Sequence, residues 1–169
     1  MKNILLISTI YPLPNKDNQG TPICHYFARE WVRMGYNVKV IHLQAIYPFF
    51  FYWFAKLFRS FIASKTGAVV YTKRENKDTF FNFESVVVYR LPIYKAIPRG
   101  KFSNSVVQLT VKKIVNICTI GEFLPDVILG HFPNPQIEVV SNLKKTYPKA
   151  KTSIVLHGNI DSIQKIYKN

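Results

Sequence analysis

Two segments far apart in the chain carry the residue types best suited to chemistry. One runs from the apolar stretch Asn3-Ile4-Leu5-Leu6-Ile7-Ser8 through a polar loop to Gly20-Thr21-Pro22. The other is Ser153-Ile154-Val155-Leu156, which ends on His157-Gly158. In a parallel sheet wrapped by helices, ligands collect outside the carboxyl ends of the strands, so a glycine loop and a histidine placed there face a common crevice. Several other chemistries are excluded by pattern. The chain has no G-x-G-x-x-G after its first strand, no G-x-x-x-x-G-K-[ST] loop, no G-x-S-x-G and no H-E-x-x-H, which argues against dehydrogenase, nucleoside triphosphatase, hydrolase-elbow and zinc-protease readings. Cys24 and Cys118 are the two cysteines and lack paired metal-ligand spacing, so they read as reduced packing residues and no metal site is expected.

The elements that must position such residues alternate between strand and helix. Residues 3–8 form a buried-type strand. A helix follows in which Cys24, Ala28, Trp31 and Val32 share a face, with Gly35 as its carboxyl cap. Asn37 to Leu43 reads as the second strand, and the resulting β-α-β crossover is right-handed and parallel. Ser85 to Leu91 reads as a strand ending at Pro92, and 105–120 as a helix carrying Val107, Val111, Ile114, Val115 and Cys118 before Gly121. Asp126 to Gly130 and Thr152 to Leu156 are two further strands. They flank a helix with Ile137, Val140, Leu143 and Tyr147 on one face. At 169 residues and 48% hydrophobic, the chain can bury one core without covalent staples, so one α/β domain is expected.

Twenty-three Lys and Arg stand against nine Asp and Glu, a net charge of +14. Such a field attracts nucleic acid, anionic lipid or phosphorylated substrates. The basic residues are scattered and form no zinc-finger or RNA-binding signature, so nucleic acid is the least favoured partner. No basic stretch followed by an apolar run opens the chain, and no apolar run reaches 18 residues; a cytoplasmic protein is expected, peripheral on the inner face of the membrane. The membrane expectation comes from residues 47–61, where nine of fifteen side chains are aromatic. As a helix this segment sets Tyr52, Lys56 and Arg59 along one side, with Phe50, Trp53, Phe54 and Phe58 over the rest. That pattern suits a helix lying in an anionic membrane interface, or one packed on the sheet, a second subunit or a further domain.

Tyr11-Pro12 after the first strand, Gly20 at a helix start, Gly35-Tyr36-Asn37-Val38-Lys39-Val40, Val88 to Pro92, Pro125 to Ile128 and Leu156-His157-Gly158-Asn159-Ile160-Asp161 occur in an order with a familiar look. Together they resemble the amino-terminal half of retaining, sugar-nucleotide-dependent glycosyltransferases of the GT-B fold, family four. The resemblance implies a Rossmann-like parallel sheet with helices on both faces. It also implies a role in acceptor binding, with the nucleotide-diphosphate sugar held as donor substrate by a carboxyl-terminal domain that residues 1–169 do not include. No other cofactor is implied. Sugar would pass with retention to a glycan or lipid-linked acceptor, and residues 1–169 alone would be inactive.

The resemblance also assigns roles to individual residues. Gly20, Thr21, His131 and Gly158 would contact acceptor or diphosphate, and His157 would stabilise charge or position the reacting hydroxyl. A glycine at a helix start lets backbone N–H groups approach a diphosphate, and a histidine can hydrogen-bond a hydroxyl in either protonation state. Each has a plainer alternative: Gly20 as a turn, His157 bonding a neighbouring carbonyl, His131 as a packing residue. His25 and His42 read as structural, and Asp161 as a helix-capping acid. Without catalysis, the same fold would serve as a membrane-surface or protein-interaction module, and the charge alone would suit a nucleic-acid-binding domain.

Overall fold

A computed structural model of the chain describes residues 1–14, 21–58, 74–96, 100–132 and 134–156. The elements run β1 (Asn3–Ser8), α1 (Ile23–Arg33), β2 (Asn37–Ile46), α2 (Phe49–Leu57), β3 (Thr79–Phe83), β4 (Val86–Tyr94), α3 (Asn104–Ile120), β5 (Val127–His131), α4 (Gln136–Thr146) and β6 (Lys151–Val155). They build one six-stranded sheet in the order β3-β4-β2-β1-β5-β6, parallel except for the antiparallel β3–β4 pair. The five parallel strands follow the doubly wound Rossmann-like order, with β1 at the centre.

Alternation along the strands divides the core into two layers. Leu5, Ile7, Ile41, Leu43, Leu91, Ile93 and Ile128 face α3 and α4, where they meet Val107, Val111, Ile114, Val140 and Leu143. Ile4, Leu6, Val38, Val40, Val86 and Val88 face α1 and meet Cys24 and Ala28. Both cysteines are free and buried, as their spacing implied. Truncating a fully buried leucine or isoleucine in such a layer costs ~2–5 kcal/mol.

Local chemistry sets the element ends. α1 closes with Gly35 at φ +85°. The Gly35 N–H donates to the Val32 carbonyl and the Tyr36 N–H to that of Trp31, which makes a Schellman motif and returns the chain directly into β2. α3 begins at Ser103, whose side chain accepts from the Val106 N–H. At the amino end of the sheet the Asn3 side chain donates to the Leu124 carbonyl at 2.7 Å and accepts from Asn37 at 2.9 Å, tying β1 to both of its neighbours.

The strands depart from the sequence expectation in three places. β4 continues through Pro92 to Tyr94, because β3 pairs only as far as Arg90 and proline is tolerated where one side of a strand is open. β2 runs three residues further, to Ile46, alongside that extension. β3 itself was not anticipated. Its hairpin turn uses Glu84 (φ +46°) and Ser85 (φ +67°), neither of which is the glycine or asparagine that usually announces such a turn.

α4 is also rotated from expectation: Gln136, Val139, Val140 and Leu143 are buried, while Ile137 is only partly so. Gly130 permits this seating, because a Cβ there would lie 3.0 Å from the Gln136 Cβ and 3.2 Å from a Val140 methyl. Lys39 is a charge inside the α3 layer. Its ammonium rests 4.9 Å from the Phe123 ring centroid and beside Gly121, where a Cβ would collide with it.

α2 stands apart from both layers. Tyr52 is its buried residue, and the Tyr52 hydroxyl accepts from the Tyr47 N–H at 3.1 Å. Phe49, Phe50, Trp53, Phe54, Leu57, Phe58 and Lys56 are exposed, which rules out packing of this face on the sheet. Among the described residues no helix is long and apolar enough to cross a membrane.

Two glycines offer a direct check. Gly35→Ala has open space for its methyl but must hold a left-handed φ, so it should lower stability in urea by about 1 kcal/mol. Gly130→Val forces α4 away from β5 and should cost more, about 1–3 kcal/mol. Equal, negligible losses would contradict both assignments.

Candidate functional site

The chain leaves β1 toward α1 on one face and leaves β5 toward α4 on the other, so a crevice opens at the carboxyl ends of these two strands. A cleft of ≈ 270 Å³ lies at this end of the sheet. Thr9 and Ile10 line it after β1, Gln44 and Tyr47 at the end of β2, Lys95 after β4, Phe102 before α3, and Asn134 before α4. The backbone beyond β5 turns sharply, with Phe132 at φ +72° and its N–H donating to the Val155 carbonyl at 3.1 Å. A non-glycine residue in that conformation is uncommon, and such strain concentrates at functional ends of folds.

Polar groups gather below the cleft on the α1 face, where the inward positions of the strands turn from aliphatic to Ser8, His42, Gln44, Arg90 and His131. The Ser8 hydroxyl donates to the Ile10 carbonyl at 2.7 Å and shapes the start of the loop. Arg90 donates to the Gln44 side-chain carbonyl and pairs with Glu75 at 2.6 Å, so two residues of neighbouring strands and a distant carboxylate hold one another. Burial, followed by the Arg90 charge, depresses the His42 pKa to about 4, against an opposing hydrogen bond to the Thr9 backbone. His42 is therefore a neutral ring under the cleft at ordinary pH.

A second network clamps the loop to α1. Burial, with smaller contributions from Cys24 and Glu84, pushes the Tyr11 phenol far above its usual range. It stays an O–H and shares a hydrogen bond with His25 Nδ1 at 2.8 Å. The other ring nitrogen then faces Glu84 Oε2 at 3.1 Å, and Arg29 Nη1 reaches the same carboxylate oxygen at 2.8 Å. Hydrogen bonds from Arg29 and then His25 hold the Glu84 carboxyl below the usual carboxylate range. His25 is thus buried in the network between α1 and the hairpin, and His42 is buried under the cleft.

Of the residues singled out in sequence, His131 does end β5, in register with Ser8 of β1 and Val155 of β6. It is 3% exposed, with its ring 6.0 Å from that of Phe27, so it supports the floor and does not reach into open solvent. Thr21 is exposed and its hydroxyl accepts from the Ile23 N–H at 3.4 Å at the start of α1. Gly20, His157, Gly158, Arg59 and Asp161 lie outside the described residues. β6 is one strand removed from β1, with β5 between them. Among the described residues no cluster of His, Cys, Asp and Glu has the makings of a metal site.

Sequence reasoning missed Gln44, Arg90, Lys95 and Asn134. Only the charges interrupting β-branched and aromatic runs, as in Val88-Tyr89-Arg90 and Ile93-Tyr94-Lys95, could have hinted at them.

His42 makes the site pH-sensitive in a defined sense. It takes a proton near 6.5 in the unfolded chain and at about 4 in the fold. Between those values the unfolded state binds more protons, so stability falls as pH falls, by up to ~3 kcal/mol, with no effect above about pH 7. The loss in urea midpoint from about pH 7 to about pH 4.5 should be smaller in His42→Leu than in the parent. An unchanged loss would contradict the buried neutral ring.

Comparison of the chain with protein-family models, with curated proteins and with solved structures finds no match in any of the three, so the reading of the site rests on its own geometry and on motif order.

Proposed function

We propose that this domain binds the acceptor in a sugar-transfer reaction and works at a membrane surface. The observation that carries the reading is the adjacency of two features. The cleft at the switch point of a doubly wound sheet ends on Tyr47, and two residues later α2 begins, with Phe49, Phe50, Trp53 and Phe54 exposed. A hydroxyl-bearing acceptor held in the cleft sits next to a helix suited to the boundary between headgroups and acyl chains. The resemblance of the motif order to that of family-four GT-B glycosyltransferases favours the same role, and with it a donor-binding domain that would supply the nucleotide-diphosphate sugar.

Transfer requires both substrates to be held across one cleft, because proximity supplies much of the rate. Residues 1–169 alone should therefore transfer no sugar, whereas the same residues joined to a donor-binding domain should, in an assay with radiolabelled nucleotide sugars and a panel of glycan and lipid-linked acceptors. Robust transfer by residues 1–169 alone would defeat the two-domain reading. In the joined enzyme His157→Ala should lower turnover by about 10- to 1000-fold, the loss expected for one well-placed donor.

The membrane role has its own check. Trp53 is 58% exposed and Phe54 47%. Replacing both with Ser should leave cooperative unfolding intact while weakening sedimentation with anionic vesicles, since anchoring follows buried apolar area together with cationic contacts such as Lys56. Unchanged sedimentation would refute the anchor. Tighter, more salt-sensitive binding to duplex DNA than to vesicles would favour a nucleic-acid module instead.

A further inference from the structure

Lys95 is a buried charge without a counter-charge among the described residues. It is 9% exposed, its ammonium lies 4.8 Å from the Phe102 ring centroid, and it pairs with no acidic side chain among the described residues. None of the described residues lining the cleft is acidic. Burial pushes its pKa down, which is the signature of an ammonium that has lost water and gained no anion in return.

Asn134, on the same wall, has a complementary deficit. Its Nδ2 donates to the Gly100 carbonyl at 3.2 Å, which orients the amide and leaves Oδ1 as a buried acceptor with no donor. The amino termini of two helices also adjoin the cleft, because Phe102 and Asn134 line it and each stands two residues ahead of a helix, α3 of 17 residues and α4 of 11.

From this geometry we propose that the cleft receives a phosphate monoester carried on a hydroxylated carbon skeleton: the anion pairs with the Lys95 ammonium, and a neighbouring hydroxyl donates to Asn134 Oδ1. A lysine and two helix poles favour a dianion over a single carboxylate. A cleft of ≈ 270 Å³ accommodates a headgroup of about monosaccharide size. The inference goes beyond acceptor binding and stands whether or not sugar is transferred.

Calorimetric titration with glucose 1-phosphate tests it. Saturable binding is expected, about tenfold or more weaker in Lys95→Met and largely restored in Lys95→Arg. Asn134→Ala should weaken glucose 1-phosphate while leaving inorganic phosphate unaffected. A parallel series with phosphatidylcholine vesicles, with and without phosphatidylinositol 4-phosphate, separates a lipid headgroup from a soluble ester. Retention that depends on both the phosphoinositide and Lys95 assigns the lipid, and binding of the soluble ester alone assigns the free form. Absence of saturable binding in both series, or equal affinity in Lys95→Met, would overturn the proposal. So would failure of Lys95→Met to fold, since the ammonium would then belong to the core.

Discussion

The head of the sheet depends on β1 pairing in parallel with two strands reached from opposite sides of the chain. β2 arrives through α1 on one face, and β5 arrives through α3 on the other. That divergence sets a crevice at the carboxyl end of β1, where the cleft lies. The Asn3 knot at the opposite end serves the same arrangement, bonding β1 to residues beside both neighbours and fixing the register that brings Ser8, His42 and His131 level with one another.

Given that frame, the polar residues under the cleft follow a simple division of labour. Aliphatic side chains fill the lower inward positions on the α1 face, and the upper ones are polar, each held by an interaction from another segment. Ser8 serves the loop after β1, Arg90 and Gln44 bind across strands, and Tyr11, His25 and Glu84 fasten the loop to helix and hairpin. Buried polar groups are costly unless satisfied, and satisfied networks hold their members in one arrangement. The cleft therefore has a largely satisfied floor, and among the described residues Lys95 and the Asn134 side-chain carbonyl are under-satisfied groups that line the cleft itself.

The parallel strands β1, β2 and β5 were legible because strands buried on both faces read as continuous apolar runs. Gly35 announced the end of α1 because few other residues adopt its backbone angle without cost. The hairpin was not legible, because Glu84 and Ser85 are ordinary residues held in left-handed conformations by contacts that no local pattern encodes. The end of the sheet that carries the cleft was legible, but not the strands that line it, since among the described residues β2 and β4 contribute and β6 does not. Periodicity locates the ends of strands, whereas Lys95, Gln44 and Asn134 acquire meaning only when β4, β2 and the loop before α4 are brought together. The aromatic segment was legible as an unusual surface, yet its attachment through Tyr52, the residue assigned to the polar side, was not.

The Glu84–Ser85 turn makes the edge of the sheet answer to a helix far away in sequence. A hairpin closed by Asn-Gly forms within microseconds from its own sequence. This one places two unfavourable residues at its corner and recovers the cost through Arg29 and His25, 55 and 59 residues earlier in the chain. The seating of β3 on β4 is therefore coupled to the docking of α1, and the edge of the sheet depends on a long-range contact as well as on its own short turn.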